Sequence, residues 1–141
     1  MNRAGKQMKL RSIGAVIAGL LFIVILSTLA DVVMHATGIF PPWFTYMPDS
    51  LFLLALAYRS LFSILGCYLT ALLAPNRPML HALILGGIGV VLSTAGAAAT
   101  WNKGREFGPK WYPIALIILS LPLAWLGGKI RLAQLSAKGT S

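Results

Sequence analysis

The sequence predicts an all-α membrane fold, an integral bundle of four transmembrane helices with both termini on the cytoplasmic side. Three observations predict it. Hydrophobic residues make up 57% of the chain and charged residues 11%, with a mean hydropathy of +0.79, where a soluble domain carries about 25% charged residues to keep its surface wet. The apolar residues gather into four long runs, and all the charged residues except Asp31 and Arg59 fall outside them. The basic residues are also unevenly shared between the two ends of those runs, which orients them. At 141 residues the chain has room for one domain.

The first run extends from Ile13 to Ile39 and follows a basic tail. A helix crosses roughly 30 Å of hydrocarbon with about 20 residues, so this run is ample. The tail, the apolar stretch and Thr28-Leu29-Ala30 also have the order of a secretory signal with cleavage before Asp31. Against that, apolar character continues through Val32, Val33 and Met34 to Phe40. The following segment, Phe40-Pro41-Pro42-Trp43-Phe44-Thr45-Tyr46-Met47-Pro48, is uncharged, aromatic and stiffened by proline, so it is expected to lie in the headgroup layer.

The second run extends from Leu51 to Ala74, with Asp49 or Ser50 as its expected cap. Ala74-Pro75-Asn76-Arg77-Pro78 then makes a tight turn, which predicts that spans two and three are antiparallel neighbours. The third run, Met79 to Thr100, carries Ala82, Gly86, Gly89, Ser93, Gly96 or Ala97, and Thr100 at steps of three or four. They lay a small-residue groove along one face, and in lipid such grooves let helix backbones approach. Span three is therefore the expected centre of the bundle. A helix of the same chain or of a partner copy could fill the groove.

The fourth run, Tyr112 to Gly128, is shorter and is framed by Trp111 and Tyr112 at one end and by Lys129 and Arg131 at the other. Pro113 suits a first-turn position, whereas Pro122 is expected to kink the helix and free the carbonyl of Ile118. Lys and Arg then count eight on the side of the termini and the Arg77 turn, against three (Lys103, Arg105 and Lys110) on the other. That excess places both termini in the cytoplasm.

The formal net charge of +9 does not indicate nucleic acid. Its basic residues flank apolar runs, so their expected partners are anionic lipid headgroups on the cytoplasmic side. The single cysteine, Cys67, excludes an intrachain disulfide and any cysteine metal cluster. Beside Gly66 inside an apolar run it reads as a small packing residue.

One constellation stands out. Asp31 and Arg59 lie at similar distances from the first loop, roughly 12 Å inside the outer boundary, so adjacent antiparallel helices bring them together. Each charge alone would cost about 2.5–3.5 kcal/mol at a span centre, which pairing lowers. Thr28, Asp31 and His35 share a face of span one, and Arg59, Ser63, Gly66 and Thr70 form a stripe on span two with Tyr58 adjacent. Two readings stay open: a pair that fixes the register of the hairpin, or a proton or ligand site, since intramembrane Asp and His are typical relay groups. Against the second, a carboxylate locked to an arginine is poorly suited to cycling protons. His81 reads as an interfacial histidine on the opposite side from His35, so the two cannot share a metal.

No catalytic arrangement, cofactor motif or metal-ligand cluster is legible. The segments Ala57-Tyr58-Arg59-Ser60, Gly66-Cys67-Tyr68-Leu69-Thr70-Ala71, Leu73-Ala74-Pro75 with Pro78-Met79-Leu80-His81-Ala82, and Trp111-Tyr112-Pro113 resemble a group of small bacterial four-helix inner-membrane proteins, over roughly residues 51 to 131. The resemblance implies location in the bacterial inner membrane and a four-helix architecture. The chain is also similar to small multidrug-resistance transporters in length, span count and an acidic residue in the first span, but it departs from them in pairing that acid with Arg59 and in its strong charge bias. The leading expectation is a non-enzymatic interaction or accessory subunit, in a homo-oligomer or with a membrane-protein partner. The runner-up is a small proton-coupled transporter using Asp31 and His35.

Overall fold

The computed structural model describes residues 3–43, 45–104 and 108–138, and Phe44 and Arg105 lie outside the described residues. Among these the chain forms four helices and no strand: α1 (Arg3–Ala36), α2 (Asp49–Leu73), α3 (Pro78–Thr100) and α4 (Trp111–Ala137). Each is long and apolar enough to cross a membrane.

Two helices run beyond their apolar cores. α1 begins at Arg3, well before Ile13, because the intervening Lys, Gln, Met, Leu and Arg are good helix formers. It spans 34 residues, about 50 Å. It stops at Ala36, short of Ile39, where Gly38 takes a left-handed conformation (φ 81°). α4 likewise continues past Gly128 to Ala137, and it passes through Pro122 as one uninterrupted helix. At α2 the capping expectation fails: Pro48 is the N-cap and Asp49 already belongs to the first turn. Arg77, preceding Pro78 at the start of α3, has φ 42°, a left-handed conformation unusual for a side-chain-bearing residue.

Around the bundle the order is α1, α2, α4, α3. α3 packs most extensively on α4, α1 on α2 and α2 on α4, with α2 and α3 touching across the short diagonal and α1 touching α3 lightly. Span three is therefore not the sole centre. α2 shares that place, since it packs on all three other helices.

The half of the bundle nearer the termini (the terminal half) is held by backbone proximity. A Cβ added to Gly19 would stand 2.7 Å from the Gly66 carbonyl oxygen, one on Gly127 2.6 Å from that of Ile64, and one on Gly86 2.5 Å from the Ala124 Cβ. These contacts seat α1 on α2, α4 on α2 and α3 on α4. The core there consists of Cys67, Ala71, Ala82, Leu85 and Ala124. Thr70, fully buried, donates its hydroxyl to the Ala15 carbonyl across the α1–α2 contact at 2.8 Å. His81, in the first turn of α3, is also buried. Its Nδ1 lies 2.9 Å from the Arg77 carbonyl, which can only accept, so Nδ1 carries the proton and Nε2 accepts from Ser12 Oγ at 2.9 Å.

The distal half, toward the α1–α2 and α3–α4 loops, is built from larger side chains. Phe40, Met47 and Ala55 form its buried cluster, with Phe52, Tyr58 and Tyr112 packed against it. The first loop thus turns Phe40 and Met47 inward while Trp43 and Tyr46 stay exposed, so only part of it faces outward.

Candidate functional site

The inward row of α1 advances in steps of four: Ala15, Gly19, Ile23, Ser27, Asp31 and His35. Ala15, Gly19 and Ser27 are buried along it. The close crossing at Gly19 and Gly66 sets this row against α2, and farther along it brings Asp31 opposite Tyr58 and Arg59. Both carboxylate oxygens are taken. The Tyr58 hydroxyl donates to Asp31 Oδ1, and Arg59 Nη2 donates to Asp31 Oδ2. The Asp31 side chain is 18% exposed and that of Arg59 33%, so the pair is withdrawn from its surroundings without being sealed. Arg59 Nε is buried and has no hydrogen-bond partner among the described residues.

The other expected members of the constellation separate. His35 turns to the first loop: its Nδ1 donates to the Pro41 carbonyl at 2.7 Å, and its ring stacks on Trp43 with centroids 3.6 Å apart. Thr28 is exposed, and its neighbour Ser27 takes the inward position. Ser63, one turn along α2 from Arg59, lines a cavity that Arg59 also reaches. Ala82, Gly86 and Gly89 of the α3 groove face α4, with Gly89 nearest Ser120; of the two alternatives farther along, Ala97 is buried, whereas Gly96 is exposed and a Cβ there would meet nothing within 4 Å. Ser93, between them, opens onto the cavity.

Three cavities adjoin at Arg59. A central one of about 180 Å³ lies between all four helices and is lined by Ser27, Ser60, Ser63, Ser93 and Ser120 amid leucine and isoleucine. A distal one of about 220 Å³ lies under the first loop, where Asp31, His35, Phe52 and Tyr112 contribute. The third, about 320 Å³, is bounded by α2, α3 and α4 and includes Leu92, Ser93, Gly96, Tyr112 and Leu116. Arg59 lines all three.

Sequence reasoning named Ser63 and Ser93 but missed Ser27, Ser60 and Ser120, and it missed the convergence of all five on one cavity. Counting residues from the loop ends puts all of them about 10 to 20 Å deep, and that shared depth was the available signal. Among the described residues no group of three or more His, Cys, Asp or Glu is placed to hold a metal ion. Comparison of the chain with models of protein families, with curated proteins and with solved structures finds no match in any of the three.

Proposed function

We propose that the chain is a non-enzymatic multi-pass protein of the bacterial inner membrane, with both termini cytoplasmic, working as an interaction or accessory subunit. The observation that carries this reading is the occupation of Asp31: hydrogen bonds from Tyr58 and Arg59 hold both of its oxygens. A carboxylate so engaged ties α1 to α2 and fixes the register of the hairpin. His35, the other relay candidate, anchors the first loop. Support for a partner comes from α1, whose one extensive neighbour is α2 and whose remaining faces expose Ile17, Leu21, Val24, Ile25 and Leu29. The eight-to-three excess of Lys and Arg supports the orientation.

Accumulation of Asp31→Asn, Arg59→Gln and the double variant in membranes tests the clasp. Each single variant is expected to accumulate poorly and the double to recover; three normal levels would refute it. Cysteine introduced at Lys6 is expected to resist a membrane-impermeant maleimide in intact cells, and cysteine at Lys110 to react. Cross-linking in native membranes is expected to yield a dimer or partner adduct, and its consistent failure counts against the subunit reading. A second reading, the proton-coupled carrier, draws on one observation: Asp31 and His35 line the same distal cavity. It predicts pH-dependent flux that Asp31→Asn abolishes.

A further inference from the structure

We propose that the cavities meeting at Arg59 form one binding site for an uncharged, membrane-borne amphiphile with a carbonyl head, such as a quinone. The inference rests on the membrane location proposed above and is independent of the subunit role. Its basis is the polar content of the central cavity. No hydrogen bond among the described residues engages the hydroxyls of Ser27, Ser60, Ser63 or Ser93, whereas Ser120 bonds back to the Leu116 carbonyl at 2.7 Å. Arg59 reaches the same space, and its Nε is left without a partner. A buried donor left without a partner is costly, which singles out Arg59 Nε, and the serine hydroxyls beside it are open to the cavity and uncommitted, so the cluster offers several donors to whatever enters.

Charge selects the kind of ligand. Arg59 is already neutralised by Asp31, so an anionic head would bring an uncompensated negative charge into a low-dielectric interior. An uncharged oxygen acceptor adds none, and arginine and serine both donate to it. Shape selects the rest. Toward the termini the space ends at the Gly19–Gly66 crossing, Leu85 and the buried Thr70, so the site is a dead end suited to binding and not to conduction. Beside it, the third cavity shares Arg59, Leu92, Ser93 and Leu116 with the central one and gives an apolar tail a place among α3 and α4. Gly96 keeps that passage free of side chain.

The test uses the full chain in nanodiscs, with binding of decyl-benzoquinone, decanoate and decane read by native mass spectrometry. The quinone is expected to bind saturably at one molecule per chain, and the carboxylate and the hydrocarbon at least tenfold more weakly. Ser93→Leu, which fills the junction of the two cavities, is expected to weaken quinone binding at least tenfold. Ser60→Ala combined with Ser63→Ala, which removes donors without adding bulk, is expected to weaken it about threefold or more with unchanged helicity and melting. Quinone binding unaffected by both variants overturns the proposal, as does equal retention of decane, which would mark a merely greasy crevice. Tighter binding of decanoate overturns the uncharged-head assignment. Recovery of the chain among soluble proteins would instead defeat the membrane reading, and the binding data would still judge the site.

Discussion

The two halves of this bundle solve the same packing problem in opposite ways. In the terminal half, Gly19, Gly66, Gly86 and Gly127 bring helices together so closely that an added Cβ would clash, and Thr70 and His81 each reach a partner, while Arg131 Nε is buried without one among the described residues. In the distal half the cluster is made of the larger Phe40, Met47, Phe52 and Tyr112, and cavities remain beside it. On the proposed membrane reading, lipid supplies little hydrophobic drive for helices to associate, so close backbone packing is what fixes the arrangement. The terminal half thus closes off the central cavity, which rests on Cys67 and Leu85 and opens toward the distal half.

Inserting bulk should expose that difference most sharply. Gly127→Val would press its side chain against the Ile64 carbonyl and the Tyr68 nitrogen, backbone atoms that cannot move aside. A loss of about 3 kcal/mol is expected in reversible unfolding in detergent. Gly96→Val, with nothing within reach of its Cβ, is expected to change stability by about 0.5 kcal/mol or less. Equal effects at the two positions would erase the contrast. Next in size is the ion pair: Asp31→Asn is expected to cost about 2 kcal/mol, discounted from a fully buried pair because Arg59 keeps a third of its surface accessible. Arg59→Gln in the same background should restore most of it.

Smaller again is Thr70→Val, which keeps the shape and removes the bond to Ala15, with an expected loss of about 1 kcal/mol. Thr28→Val, on the exposed face one residue from Ser27, is expected to be neutral within about 0.5 kcal/mol. The least global effect belongs to His35→Ala. Loss of its bond to Pro41 and its stacking on Trp43 should speed hydrogen exchange in the first loop while leaving the unfolding midpoint nearly unchanged.

The four helices were legible because hydropathy is a property of whole segments and survives errors of a few residues. The Asp31–Arg59 pairing was legible for a related reason: helical rise converts sequence distance into depth, and Tyr58 was adjacent by number. What failed was rotation. Thr28 and Ser27 differ by about 100° around α1, and which one faces inward depends on how α1 seats on α2 at Gly19 and Gly66. Steps of four from Ala15 predict Ser27, whereas a step of three back from Asp31 predicts Thr28, and only the packed crossing decides between them. The choice between Gly96 and Ala97 on α3 stayed open for a comparable reason, and the structure buries Ala97 and exposes Gly96. The role of His35 depended on the loop folding back, which no periodicity encodes.

The separation of Asp31 from its two partners along the chain has a consequence for biosynthesis. Tyr58 and Arg59 lie 27 and 28 residues downstream of it. At a synthesis rate of about 5–20 residues per second, the carboxylate emerges from the ribosome one to several seconds before either partner exists. On the proposed membrane reading, a first helix released alone into lipid would carry that charge uncompensated throughout the interval. The nascent chain is therefore expected to keep its first helix at the insertion machinery until the second arrives, so that the two enter the bilayer together as a hairpin.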